Sequence, residues 1–314
     1  MSVEASVQPV ILLGMHRSGT AMIARLLDEL GLFQGAEIQG DHEALWFLDI
    51  NEALLRRVNA SWDSPARFDE FLANPAAFDL TSRCLHEDVS SKGARRFLGR
   101  LRAMRHGSLL KYNLPWGWKD PRTLLTLPLW LDVFPGAKLV YIARNGVDVA
   151  RSLMAREQRE LERRAKDFAS HGTAGNQLKI HGCGYKGSCR CLTFRGSFSL
   201  WEEYVERAEA ALEKFNNPHM FLRFETFLAN PPAELARLAT FCGVDSSEQA
   251  ISKAIASVKV NPERGNAAAA DPVGTALLES VRGNRWMSHY GYGDFAPPTI
   301  ARTVNSLKFS GVAS

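Results

Sequence analysis

The residues Gly14–Thr20 have the types and the spacing of a loop that binds an anion. They follow a short apolar run, Val10–Leu13, which is typical of a buried strand, and they precede apolar residues at helical spacing. At such a junction the backbone N–H groups and the positive end of the helix dipole point toward the ligand. Gly14 and Gly19 permit the tight turn and a close approach of the backbone. The sequence therefore predicts a site for a phosphate or sulfate group.

The same loop has the G-x-x-x-x-G frame of the P-loop that binds nucleoside triphosphates. That motif requires Lys and then Ser or Thr after the second glycine. Here Thr20 and Ala21 follow Gly19, so the lysine and the hydroxyl that binds magnesium are both missing. A cation lies inside the loop instead, as Arg17. We therefore expect the loop to bind an anion without the usual metal ligand for triphosphate hydrolysis.

A second pair of residues suited to anions lies at the end of the most apolar strand candidate, Leu139–Ala143. Arg144 follows this strand directly, and Ser152 lies about two helical turns further along the chain. Open α/β sheets bind their ligands at the carboxyl edge, and a guanidinium fork matches phosphate oxygens. We expect Arg144 and Ser152 to hold a second phosphate.

The elements that must position these residues alternate between strands and helices. This alternation predicts an α/β fold of three layers, αβα, around a central parallel sheet, as in P-loop proteins. We expect one domain over residues 1–314, with a helical insertion at about 43–106 and a flexible loop at about 170–197. Apolar periodicity predicts strands Val10–Leu13, Leu139–Ala143 and Met220–Phe224, and helices Thr20–Leu30, Glu43–Val58, Thr123–Val133, Val147–Arg159, Leu200–Phe215 and Pro231–Phe241.

Composition excludes several classes of protein. With 46% hydrophobic and 23% charged residues, the chain is not disordered, collagen-like or a coiled-coil rod. The net charge of +4 favours an anionic ligand and does not by itself indicate a nucleic-acid partner. The longest apolar runs are far shorter than the roughly 20 residues of a membrane span, and no secretory signal is visible. The five cysteines, an odd number, suit reduced thiols, and we expect a cytoplasmic protein.

The segment from His181 to Cys191 is the one candidate for a zinc site. Its spacing, His181-x-Cys183-x5-Cys189-x-Cys191, is tight for a tetrahedral site and contains no C-x2-C pair. We interpret it as part of a mobile loop near the substrate, and we expect no metal.

The Gly14–Thr20 loop resembles the 5′-phosphosulfate loop of the sulfotransferases, enzymes that use 3′-phosphoadenosine 5′-phosphosulfate (PAPS), and the whole chain looks like their compact bacterial type. Arg144 and Ser152 resemble the family's pair for the 3′-phosphate. The segment Leu222–Thr226 resembles a further landmark in which Phe224 replaces a tyrosine, so Phe224 either faces the adenine or belongs to the core. For the 5′ end of the donor, the resemblance implies contacts from His16, Arg17, Ser18, Gly19, Thr20 and Ala21.

The resemblance also implies which residues carry the chemistry. The segment Trp116–Thr123 looks like the family segment whose lysine contacts the bridging oxygen of the donor, which gives Lys119 that role. Cytosolic sulfotransferases have a catalytic histidine two positions after this lysine, and this chain has Pro121 there. Some sulfotransferase families place a catalytic glutamate near the position of Glu43, which is our candidate base, with His42 as an alternative.

The function implied is in-line transfer of a sulfuryl group from PAPS to a hydroxyl or amine of a glycan or small-molecule acceptor. The product would be 3′-phosphoadenosine 5′-phosphate (PAP), and no metal is required. Two alternatives stay open: a P-loop kinase acting on a small acceptor, and a non-catalytic protein that binds PAP. The arginine-rich stretch Arg95–Arg105 either receives an acidic glycan or is a solvated helix face. Aromatic residues that line the acceptor pocket, or else the core, are Trp46, Phe47, Trp62, Trp116 and Trp118.

Overall fold

A computed structural model describes residues 7–171, 185–258, 260 and 268–292 of the chain. Its centre is a sheet of four parallel strands in the order β2-β1-β3-β4. Because these strands are parallel, their carboxyl ends lie at one edge of the sheet, and the residues that follow each strand meet there. The strands are β1 (Val10–Leu13), β2 (Gly117–Lys119), β3 (Lys138–Ala143) and β4 (His219–Arg223).

Helices flank the sheet on both faces. The first group comprises α1 (Thr20–Glu29), α2 (Leu45–Arg57), α3 (Ala66–Leu72), α4 (Pro75–Ser90), α5 (Arg95–His106), α6 (Thr123–Val133) and α7 (Gly146–His171). The second comprises α8 (Phe194–Lys214), α9 (Phe224–Ala229), α10 (Pro231–Cys242), α11 (Glu248–Val258), α12 (Pro272–Ser280) and α13 (Arg285–His289).

Each face of the sheet carries its own apolar core. Side chains alternate along a strand, so Ile11 and Leu13 of β1 face one core while Val10 and Leu12 face the other. The first core packs against α2 to α8, α12 and α13, and the second packs against α1, α9, α10 and α11. Since helices cover both faces, the three-layer αβα fold predicted from the sequence is confirmed.

The helices α2 to α5 lie between α1 and β2 in the chain, where the sequence predicts a helical insertion. The ring of Phe47 on α2 stacks on Trp118 of β2, with centroids 3.9 Å apart. One turn further along α2, the buried side chain of Asn51 donates to Asp120 at 2.8 Å and accepts from the indole N–H of Trp130 at 2.8 Å. These contacts fix the end of β2 and the segment that follows it.

Some predicted boundaries differ from the structure. The three residues of β2 are too few for a periodicity of two to show, and the sequence does not predict this strand. α7 continues to His171, well beyond the predicted helix end at Arg159, and α8 begins at Phe194, before the predicted start at Leu200. Thr193 supplies the early start of α8, because its hydroxyl accepts a hydrogen bond from a first-turn N–H group.

The cysteine-rich segment is described only in part, because His181 and Cys183 lie outside the described residues. Cys189 is exposed, whereas Cys191 is buried. Among the described residues, no group of three or more His, Cys, Asp or Glu side chains is arranged to hold a metal ion. Within that same part of the chain, no helix has the length and apolar character needed to cross a membrane.

Candidate active site

The loop between β1 and α1 is tight and partly left-handed, with φ of 71° at Arg17 and 93° at Gly19. Ser18 closes the turn, since its N–H and its hydroxyl both donate to the Met15 carbonyl, at 3.2 and 2.7 Å. A Cβ on Gly19 would lie 2.2 Å from a ring carbon of Phe224, so only glycine lets that ring close against the loop. The buried Ser18 side chain therefore shapes the loop and does not line the cleft beside it.

The start of α1 is open toward this cleft. Gly19 is the N-cap and has no side chain to accept from the N–H groups of the first turn. Thr20 and Ala21 both line the cleft. The uncapped N–H groups and the positive end of the helix dipole together favour an anion at this position.

The two predicted anion-binding groups form one cluster. Nε of Arg17 donates to the hydroxyl of Ser152 at 2.9 Å. Nη1 of Arg144 donates to the Arg17 carbonyl at 3.1 Å, and its guanidinium lies 5.1 Å from the ring centre of Phe224. Asp148, one turn along α7, lies 3.8 Å from Arg144 and helps to orient it. The side chains predicted to bind anions after β1 and after β3 thus meet at one edge of the sheet.

Lys119 and Glu43, which both line the cleft, form a buried ion pair. The Lys119 ammonium donates to Oε1 of Glu43 and to the Asp41 carbonyl, each at 2.9 Å. The two side chains are only 3% and 5% exposed. Gln39 donates to the other oxygen of Glu43, and Arg122 lies 3.6 Å from it. Such a pair is held in one geometry, because breaking it would leave a buried charge without compensation.

His16 lines the cleft, and its ring packs edge-on against Trp62 with centroids 4.7 Å apart. Burial lowers the pKa of His16 well below its usual value, and the nearby Arg122, Arg156 and Lys119 lower it further. The imidazole is therefore neutral at physiological pH. Its Nε2 atom is buried and has no hydrogen-bond partner among the described residues. Such an atom in a cleft wall is suited to a ligand.

His42 is not brought into the cleft. Its backbone is left-handed, with φ of 58°, and its Nε2 atom lies 3.6 Å from a carboxylate oxygen of Asp28. Burial lowers the pKa of His42 to about 4, with further lowering by Arg25 and Lys119. The structure thus separates the two candidate bases: Glu43 lines the cleft and His42 does not.

The cleft as a whole is strongly cationic. Sequence reasoning missed Arg25 and Arg156, which line it together with Arg17, Lys119 and Arg144. For Arg156 a signal exists, because it follows Ser152 by four residues and so shares its face of α7. The remaining lining residues are His16, Gly19, Thr20, Ala21, Met22, Asp41, Glu43, Pro121, Phe224 and Val258.

A larger groove of about 730 Å³ lies elsewhere, beside the outer strand β4. His219, Phe221 and Arg223 of that strand form one wall. Its lining includes neither the glycine loop nor the Lys119–Glu43 pair, so its larger volume does not make it the candidate active site. We assign the candidate site to the cationic cleft.

Residues 9–248 match the family described as "Sulfotransferase family". The chain belongs to this family. The matched region contains the glycine loop, the Lys119 segment, Arg144 and Ser152, so the family resemblance expected from the sequence is confirmed. A search of curated proteins found no match.

Solved structures similar to this family member include three sulfotransferases. One is the sulfotransferase domain from the curacin biosynthetic pathway, with 14% identity, a TM-score of 0.48, and coverage of 88% of this chain and 98% of that one. The domain from the Synechococcus PCC 7002 olefin synthase has 13% identity, a TM-score of 0.47, and coverage of 89% and 96%. Sulfotransferase STF1 from Mycobacterium tuberculosis H37Rv has 16% identity, a TM-score of 0.43, and coverage of 84% and 77%. At these low scores, the likenesses add no argument about activity.

Proposed function

We propose that the chain transfers the sulfuryl group of PAPS to the hydroxyl of a small-molecule acceptor, and that PAP is the second product. The observation that carries the proposal is the cluster of Arg17, Ser152 and Arg144 beside the glycine loop. A family member with two anion-binding groups in contact suits a nucleotide that carries phosphate groups at both its 5′ and its 3′ ends.

The residues of the cleft fit such a donor. The uncapped start of α1, with Thr20 and Ala21, and the Arg17 guanidinium face the 5′ end. Arg144 and Ser152 hold the 3′-phosphate, because a guanidinium fork and a hydroxyl both donate to its oxygens. Phe224 lies beside both groups, but it is only 3% exposed and belongs to an apolar core, so we assign its ring to supporting the loop and Arg144. Ser18 supports these contacts from within the loop instead of making one.

PAPS supplies the sulfuryl group and a phosphate leaving group. In the chain, we assign to the Lys119 ammonium the neutralisation of charge on the leaving oxygen, and to Glu43 the acceptance of the proton from the acceptor hydroxyl. The acceptor oxygen gains its bond to sulfur as the bond from sulfur to the leaving oxygen breaks. The 2.9 Å contact between Lys119 and Glu43 holds the two groups in one geometry before substrates bind.

A thermal-shift titration with PAP, ADP and ATP, each with and without magnesium, tests this proposal. A ligand at 100 times its dissociation constant adds about 2.7 kcal/mol of stability. We expect PAP to stabilise the full chain without metal and ATP to have little effect. Stabilisation only by ATP with magnesium would contradict the proposal and favour a kinase.

A further inference from the structure

A second, small cavity has a volume of about 200 Å³. It lies where α2 ends, between that helix and the segment that leads to α3. We call it the α2 cavity. Its lining residues are Glu52, Leu55, Arg56, Ala60, Ser61, Trp62 and Arg122.

Two residues that line the α2 cavity, Trp62 and Arg122, contact residues that line the cleft. Trp62 contacts the cleft residue His16, with ring centroids 4.7 Å apart, and the Arg156 guanidinium lies 5.0 Å from its ring centre. Arg122 lies 3.6 Å from the carboxylate of Glu43. Arg122 therefore both lines this cavity and contacts the candidate base, Glu43.

The charged groups of the α2 cavity are paired with each other. Arg122 contacts Asp120 at 2.9 Å and Glu52 at 3.0 Å, in addition to Glu43. Burial lowers the pKa of Arg122, but these carboxylates outweigh that effect and raise it overall. Arg56 also pairs with Glu52, at 3.3 Å. A charged acceptor would have to compete with these pairs and lose its own hydration, so the lining favours an uncharged body.

The apolar surface of the cavity comes from Leu55, Ala60 and the indole of Trp62. Of the five aromatic residues that the sequence offers for an acceptor pocket, the other four are buried in the core, at Trp46, Phe47, Trp116 and Trp118. Trp62 is only half-buried. A half-buried indole beside a cavity is suited to stacking with another ring.

We propose that the α2 cavity binds the apolar body of an uncharged acceptor, an alcohol or phenol with a body of about one ring, whose hydroxyl reaches Glu43 past Arg122. The proposal rests on the sulfotransferase function proposed above. The volume suits a body of this size, because a cavity of about 150 Å³ holds one benzene and this one has about 200 Å³. An acidic glycan, the other acceptor class that the sequence leaves open, does not fit this lining.

The test measures binding of 4-methylphenol to the full chain by titration calorimetry, with and without saturating PAP, against glucuronic acid. 4-Methylphenol is the analogue of the tyrosine side chain, and its hydroxyl stays uncharged at pH 7. We expect it to bind, and Trp62→Ala and Ala60→Leu each to weaken its binding tenfold or more. In both variants the loss of PAP affinity is expected to be much smaller than the loss of 4-methylphenol affinity. Trp62→Phe retains an aromatic ring and is expected to restore most of the affinity. The matched control is Trp286→Ala, a partly buried tryptophan on α13, which is expected to change neither ligand.

Unchanged 4-methylphenol affinity in the folded Trp62→Ala variant would overturn the proposal, and so would tighter binding of glucuronic acid than of 4-methylphenol. Because Ala60 is buried, its larger replacement is judged only if the variant still shows the wild-type response to PAP. If it does not, Trp62→Ala decides. Failure of the sulfotransferase proposal is recognised separately, as the absence of any PAP binding by the wild-type chain.

Discussion

Arg144→Ala is expected to weaken PAP binding through the 3′-phosphate alone. The Arg144 guanidinium is held at the end of β3 by the Arg17 carbonyl at 3.1 Å and by the ring of Phe224. Because it is ordered before a nucleotide binds, little side-chain freedom is lost on binding. A hydrogen bond from a guanidinium to a phosphate is worth about 1.5–3 kcal/mol. At about 1.4 kcal/mol per tenfold change, its loss corresponds to roughly 10- to 150-fold weaker binding.

Titration calorimetry with PAP and with 5′-AMP, which lacks the 3′-phosphate, isolates this contribution. In Arg144→Ala the affinity for PAP is expected to fall while that for 5′-AMP stays close to wild type. Arg144→Lys keeps the charge without the guanidinium fork, so its affinity for PAP should lie between that of the wild type and that of Arg144→Ala. The matched control is Arg151→Ala, because Arg151 lies on α7, the helix that follows Arg144, but pairs with Asp271 at 2.7 Å.

Arg144 also supports the buried Asp148, 3.8 Å away, whose pKa is raised chiefly by burial. Urea unfolding of each variant is therefore measured beside its binding. In a folded Arg144→Ala variant, an equal loss for PAP and 5′-AMP would refute the assignment to the 3′-phosphate, as would an unchanged affinity for PAP.

Three further predictions concern the loop, the base and a buried carboxyl. Glu43→Gln keeps a partner for Lys119 but removes the base, so turnover should fall about 10²–10⁴-fold with PAP affinity retained; wild-type turnover would remove Glu43 from the mechanism. Gly19→Ala meets the ring of Phe224 at 2.2 Å and keeps a φ of 93°, so it should cost about 1–3 kcal/mol in urea unfolding and weaken PAP binding, whereas wild-type values would show that the loop tolerates a Cβ. Burial raises the pKa of Glu225, against hydrogen bonds from the Asn145 N–H and the Tyr292 hydroxyl. Its folded pKa thus exceeds the unfolded value of about 4.3, stability falls as pH rises through that window, and Glu225→Gln should flatten the fall; an unchanged pH profile would contradict this.

The sequence predicts the sheet well where strands carry long apolar runs or precede a motif. β1, β3 and β4 are predicted because each has four or more residues with a clear apolar pattern. β2 is not predicted, since its three residues, Gly117–Lys119, show no periodicity, and its place in the sheet depends on pairing with β1. A strand defined by its partner has little signal of its own.

The candidate site was predictable wherever residue type and chain position suffice. Arg17 and Arg144 follow from the motifs, but the contact between Arg17 and Ser152 joins residues 135 positions apart, which one sequence cannot reveal. Ser18 and His42 are the opposite case, in which the sequence predicts a site residue and the structure directs its side chain elsewhere. The Ser18 hydroxyl donates to the Met15 carbonyl within its own loop, and the His42 ring lies beside Asp28. Side-chain direction at non-repeating φ and ψ is set by tertiary packing.

We propose that this family member moves a sulfuryl group from PAPS to an uncharged hydroxyl acceptor. The most direct measurement incubates the full chain with PAPS and 4-methylphenol, without metal, and quantifies both products by chromatography and mass spectrometry. We expect PAP and sulfated 4-methylphenol in equal amounts, with product formation strongly reduced in Glu43→Gln. PAPS that binds but yields no sulfated product from any hydroxyl acceptor in a broad panel would contradict the account, and a non-catalytic nucleotide-binding protein would take its place.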